Sequence, residues 1–225
     1  MTTSLETTLG APPSKGSLRT VLVSIIGVAV LVVAVGAGFL WGASGNDGRA
    51  IPNANSVDAG FARDMATHHQ QAVTMAGYAR DNSTNIDVKT LAFDIETSQS
   101  VEMGEMIGWL QQWNVSRVTN SPMKWMQGHT FHIGVNGLMP GMATPAQMDK
   151  LLASHGHELD ILFLQLMIHH HQGGVLMAQY AAQHAVEPYV RTIAAKMYVN
   201  QTNEIVEMER LLRQLGGAPL PPPVD

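Results

Sequence analysis

The chain has no cysteine. That excludes a disulfide framework and a lipobox thiol for acylation. Any soft or borderline metal would have to be held by imidazole and thioether, with carboxylate in support. An excess of positive charge is missing as well: the formal net charge is −5, which leaves no basic footprint for nucleic acid. Two metal motifs are absent. Without Glu-x-x-His, the ligand pattern of di-iron and di-manganese bundles is not available. Without His-Glu-x-x-His, neither is that of zinc proteases.

Charge also disappears locally. Residues 21–41 carry no charged side chain and consist mainly of Val, Ile, Leu, Ala and Gly. At 1.5 Å per residue such a helix spans roughly 31 Å, the thickness of a bilayer's hydrocarbon core. A cleaved signal peptide is the competing reading, although its apolar region is usually about 7–15 residues long. Gly42-Ala43-Ser44 is only a weak cleavage signal. Lys15 and Arg19 precede the span closely, so the positive-inside rule puts the N-terminus in the cytoplasm and the rest of the chain outside. The expected organisation is a polar cytoplasmic tail (1–17), a transmembrane anchor or signal peptide (18–41) and a linker (42–56). A helical domain (57–215) with an insert (114–156) and a proline-rich tail (216–225) follow.

What the chain has in quantity is histidine and methionine. All ten histidines and thirteen of the fourteen methionines lie after residue 60. They recur in two similar stretches: Met65-Ala-Thr-His68-His69-Gln70 with Met75-Ala76, and Met167-Ile-His169-His170-His171-Gln172 with Met177-Ala178. The offset is 102 residues (170 − 68), and 61–113 aligns with 163–215 without a gap. The identities extend to Gln99/Gln201, Glu102/Glu204, Glu105/Glu207 and Met106/Met208. Such a repeat implies two copies of one supersecondary unit.

Each copy reads as a helical hairpin. Phe61, Met65, His68, Ala72, Met75 and Ala79 recur at three- and four-residue steps, which makes one helix face. Asp81-Asn82-Ser83-Thr84 breaks the first unit. Asn85 is then the expected N-cap of its second helix, and Pro188 takes the first helical position in the second unit. In the insert, Thr144-Pro145-Ala-Gln147 reads as a capping box opening a short helix to about Ala153. The expected fold is all-α: a ferritin-like four-helix bundle of two duplicated hairpins, following one N-terminal transmembrane helix.

Antiparallel geometry then places chemistry. With the turn near residue 84, His68 and His69 lie level with residues near 99–101, within reach of Gln99 and Glu102. The offset makes His170 and His171 level with Gln201 and Glu204. Met65 faces the same region at i+3 and i+4, as does Met167 in the second copy. Met106 and Met208 follow one turn beyond the glutamates. Met75 lies about 10.5 Å further along the axis, so Met75 and Met177 are expected to form a second layer, either a soft site or core. Methionines at helical spacing often serve as core filler. Four buried imidazoles, by contrast, cost free energy unless they gain partners. Thioether with imidazole suits Cu(I) and Cu(II), with another transition metal as the alternative, whereas a carboxylate-only set would suit Mg, Ca or Mn. The insert adds Met123, Met126, His129, His132, Met139, Met142, Met148, His155 and His157, of which Met139-Pro-Gly-Met142 sets two thioethers on a tight turn.

The pattern Met-x-x-His-His-Gln with a following Met-Ala, the later Gln-x-x-Glu-x-x-x-Met and the Met-Pro-Gly-Met-Ala-Thr insert resemble the bacterial family catalogued as domain of unknown function 305. The resemblance covers about residues 57–215. One departure is Thr67, where a proline or a basic residue is often seen. The resemblance implies an exported, ferritin-like bundle with copper-handling relatives. The leading reading is a membrane-anchored, extracytoplasmic protein that sequesters or transfers copper. A structural subunit docking on a membrane complex and a ferritin-like metal oxidase are the alternatives. Candidate partners are the membrane, a membrane complex or copper protein, and a second copy of the chain.

Overall fold

The computed structural model describes residues 50–127 and 137–223. The expected tail and anchor, most of the linker, and His129 and His132 lie outside the described residues. Among the described residues the regular structure is entirely helical: α1 (Val57–Asn82), α2 (Ile86–Gln112), α3 (Pro145–Ala153), α4 (Gly156–His184) and α5 (Pro188–Gln214). None of these helices is long and apolar enough to cross a membrane.

Local chemistry sets where most helices start. Ser56 caps α1 by accepting the Ala59 N–H, and Asn85 caps α2 by accepting those of Asp87 and Val88. Thr144 and Gln147 form the reciprocal capping box of α3, with Pro145 in the first turn. The starts of α4 and α5 have no side-chain cap from their own N-cap residues, His155 and Glu187.

For α5 the cap comes from another helix. Asp58, in the first turn of α1, accepts the backbone N–H groups of Val186 and Glu187 at 3.2 and 2.8 Å. Its counterpart Asp160 (58 + 102) in the first turn of α4 accepts the Ser83 hydroxyl at 2.5 Å, at the turn between α1 and α2. Both aspartates are buried. Each hairpin turn is thus held by the leading helix of the other hairpin.

Helix α1 packs along α2, and α4 along α5. The two hairpins join through α1 and α4, while α2 and α5 barely meet. The predicted face of α1 (Phe61, Met65, His68, Ala72, Met75 and Ala79) is fully buried. The apolar core forms two separate clusters. One gathers the start of α1, the ends of α2 and α4 and the start of α5 with Trp113, Met123, Trp125, Met126 and Met139. The other gathers the end of α1, the start of α2, the first half of α4 and the end of α5 with Leu151. Since the start of α1 shares a cluster with the end of α4, these two helices run antiparallel.

The insert is tied down at two places. Asp64 accepts the Met123 N–H at 2.6 Å and the Trp125 indole N–H at 2.8 Å. Trp125 in turn lies so close over Gly60 that a Cβ there would sit 2.3 Å from its ring. Further on, Gln71 clamps Ala143, accepting its N–H and donating to its carbonyl.

Candidate metal centre

A polar belt divides the two apolar clusters. It consists of His68 and His69 on α1, Gln99 on α2, His170 and His171 on α4, and Gln201 on α5, all at most 3 % exposed. His68 and His170 meet where α1 crosses α4, with ring centroids 3.8 Å apart. His69 and His171 instead reach toward the outer helices. His69 Nε2 lies 2.9 Å from Glu102 Oε2, and His171 Nε2 lies 2.7 Å from Glu204 Oε2. The two contacts span the same 33 residues, one in each hairpin, as the antiparallel register requires.

The hydrogen-bond partners fix which ring nitrogen carries the proton. His68 Nε2 is 3.0 Å from the carbonyl oxygen of Pro140, and His170 Nε2 is 3.1 Å from that of His68. A carbonyl only accepts, so both Nε2 atoms are donors. In its carboxylate form each of Glu102 and Glu204 accepts from Nε2–H, which gives His69 and His171 the same tautomer. The Nδ1 atoms of His68, His69 and His171 are then left as lone pairs, buried and without a partner. Burial, the largest influence, depresses His68 and His69 from 6.5 to about 3 and places His170 well below its usual value. The His68, His69 and His170 rings are therefore neutral at physiological pH. For Glu102, burial first and the charge of Glu204 second push the carboxyl up to about 7.

Imidazoles with Nε2–H held by a carboxylate or carbonyl and Nδ1 free form the arrangement in which histidine ligates metals. Three unpartnered lone pairs in one buried belt fit a transition ion. Among the described residues, however, no three His, Asp or Glu side chains converge on one point as they stand.

The Met139–Met142 turn covers one side of the belt. Besides accepting from His68 through Pro140, it meets the His169 ring through the carbonyl of Gly141, at 3.1 Å. Gly141 has φ +79°, and a Cβ there would strike the backbone of His169 and His170. A Cβ on Gly173 would lie 2.0 Å from the Pro140 oxygen. The turn thus contributes carbonyls to the histidines. The sequence does hold a signal for this contact. The first copy has Gln71-Ala72 where the second has Gly173-Gly174, and paired glycines mark a close backbone approach.

The methionines are distributed differently from the expectation. Met65, Met106, Met139 and Met177 belong to one apolar cluster, and Met75, Met167 and Met208 to the other. Met75 and Met177 therefore do not share a layer. They lie on opposite sides of the belt, because α1 and α4 cross antiparallel near His68 and His170. His155 and His157 stand at the start of α4, away from the belt, and His184 stacks on Tyr180.

The family described as domain of unknown function (DUF305) matches residues 58–212. A Streptomyces coelicolor protein, described as secreted and of DUF305 type, has a crystal structure similar to this fold. It is 40% identical with a TM-score of 0.69, over 75% of this chain and 99% of that one. CopM in its Cu(II)-bound form is similar at 28% identity and a TM-score of 0.54, over 71% of this chain and 97% of CopM. CopM in its Cu(I)-bound form gives 27% and 0.54, over 71% and 98%. No curated protein sequence matches the chain.

Proposed function

The chain belongs to the DUF305 family, and from that premise we propose that it is a membrane-anchored, extracytoplasmic copper-binding protein that sequesters copper or passes it on. The observation that carries this reading is the set of buried, unpartnered Nδ1 atoms on His68, His69 and His171. Leaving each such group without a partner costs about 1–3 kcal/mol, which a bound ion would offset. The copper-bound forms of CopM, in a related fold, support the choice of metal.

In this reading His68, His69, His170 and His171 are the primary ligands. Glu102 and Glu204 hold the His69 and His171 rings by their Nε2–H groups. Pro140 does the same for His68. Met65 and Met167 border the belt from opposite apolar clusters and supply one soft donor on each side. Met106, Met208, Met75 and Met177 lie deeper in those clusters and play a lesser part. The ion itself would contribute tight binding to nitrogen and sulfur, and in either oxidation state. The fold that presents these groups is a ferritin-like four-helix bundle of two duplicated hairpins, tethered through residues 18–41 with the N-terminus in the cytoplasm.

The test is titration of the detergent-purified full chain with Cu(I) and Cu(II), alongside elemental analysis of natively purified protein. The double variants His68→Ala/His69→Ala and His170→Ala/His171→Ala are expected to lose binding by at least about tenfold each. Undiminished binding in both variants would make the site assignment wrong.

A second reading has its own observation. Ile86, Phe93 and Val101 on α2, with Val199 and Val206 on α5, are large apolar side chains more than half exposed. They suit a bundle that docks on a membrane complex. That reading predicts co-purification with a membrane partner and no gain in melting temperature on adding copper.

A further inference from the structure

The belt is closed to solvent over the histidines themselves, so an ion needs a way in. The Met139–Met142 turn seals one side, with its backbone pressed against α4 at Gly173. The two apolar clusters close off the ends. On the remaining side α2 and α5 barely touch. There a shallow groove of about 430 Å³ is lined by Phe93, Thr97, Val101 and Glu102 of α2 and Ile193 of α5.

Three features of this side point to a cation. First, the groove presents Asp94, Glu102 and Glu105 and no Lys or Arg. Grooves elsewhere have the opposite character: the one beside Thr67 and Met103 contains Arg63 and Arg117 and no carboxylate, and the one around Trp125 contains Arg63 and Lys124 and no carboxylate. Clefts of one sign focus their field and raise the local concentration of the opposite ion. Second, Glu102 and Glu204 are the members of the site that reach solvent, with side chains 17 % and 23 % exposed while each still contacts a fully buried imidazole. Third, one helical turn before each glutamate stands a buried amide in search of partners. Both polar atoms of the Gln99 side chain, and the Gln201 carbonyl oxygen, have none. Buried polar groups are rarely left so unless water or an ion visits them.

We propose that metal ions enter between α2 and α5 through an oxygen-donor port made of Glu102 and Glu204 with Gln99 and Gln201, which takes the hydrated divalent cation before the histidines do. The port rests on the copper reading and deepens it: the two carboxylates steer the incoming ion, while their contacts with Nε2 of His69 and His171 leave Nδ1 of each ring as the lone pair that receives it. Oxygen donors suit a cation that still carries water. The imidazoles beyond them suit the ion once dehydrated.

The experiment is stopped-flow mixing of the full chain, in detergent, with Cu(II), read by the visible absorbance of the copper–imidazole complex at several ionic strengths. Glu102→Gln/Glu204→Gln keeps the shape and an oxygen that accepts the imidazole N–H but removes the charge. It is expected to slow association by about tenfold or more and to flatten its salt dependence. Val101→Trp adds a bulky side chain at an exposed groove position where the fold has no demand. It is expected to slow association while leaving the copper-to-protein ratio at equilibrium unchanged; Val118→Trp, at an exposed site outside the groove, is expected to leave the rate alone. Parental rates in both the glutamine pair and Val101→Trp would overturn the port while leaving copper binding intact. A parent chain that binds no copper would overturn the copper reading, and the port with it.

Discussion

At the residue scale, what distinguishes this molecule is that burial keeps the His68, His69 and His170 rings neutral, while named acceptors fix which nitrogen carries the proton. His68 and His69 are depressed from 6.5 to about 3, chiefly by burial. The sign of the consequence follows directly. In the unfolded chain these rings take up protons as the pH falls below about 6.5, while the folded chain refuses them until near 3. Their contribution to stability is therefore complete above pH 6.5 and lost progressively as the pH falls toward 3. Glu102, pushed up to about 7 by burial, runs the other way and adds stability as the pH falls through 7. The metal-free protein should therefore show a melting temperature that does not fall between about pH 8 and 6.5 and drops below about 6, where the rings of His68, His69 and His170 outweigh one carboxyl. The His68→Gln/His170→Gln variant should lose much of that slope. Thermal melts across this range check it; a melting temperature independent of pH would contradict the buried neutral belt.

At the scale of the elements, the helices show how far local sequence reaches. Asn85, the Thr144–Gln147 capping box and Pro188 mark helix starts that the structure places at those residues. Each acts on backbone groups within three residues, so the information is local. Asp58 and Asp160 were not legible in this way. Their partners lie 128 and 77 residues off at the nearest, and an acid in a first helical turn is unremarkable by itself. The offset of 102 did contain the clue, since both copies have aspartate at this position. Asp58→Ala would strip two backbone N–H groups of their acceptor and should cost about 1–3 kcal/mol in denaturant unfolding, with copper stoichiometry unchanged. Asp160→Ala frees one hydroxyl that can turn to the Asn85 carbonyl 3.3 Å away, and should cost less. Equal losses would mean that the two contacts are not distinguished by what they cap.

At the scale of the whole molecule, the register within each hairpin was legible and the arrangement of the hairpins was not. A turn near residue 84 is enough to put His69 beside Glu102, and the repeat carries the result to His171 and Glu204. How two hairpins stack depends on side chains distant in sequence. Hence the separation of Met75 from Met177, and the approach of Pro140 to His68, emerge only in the fold. Binding at the belt links all four long helices and should stabilise the molecule as a unit. At a free copper concentration 100 times the dissociation constant the gain is about 2.7 kcal/mol. For a domain of this size that is a rise in melting temperature of roughly 5–10 °C. Calorimetry with and without copper measures it, and no rise would favour the docking reading instead.

The exchange of aspartates between the hairpins has one more consequence. Each half carries the fastener that the other half needs, so neither is finished while it stands alone. A chain cut within the insert, between residues 128 and 136, would leave two fragments with untied turns and bare apolar faces. Mixed together, they have what is required to restore each other, in the manner of a lock whose two keys are kept in opposite rooms.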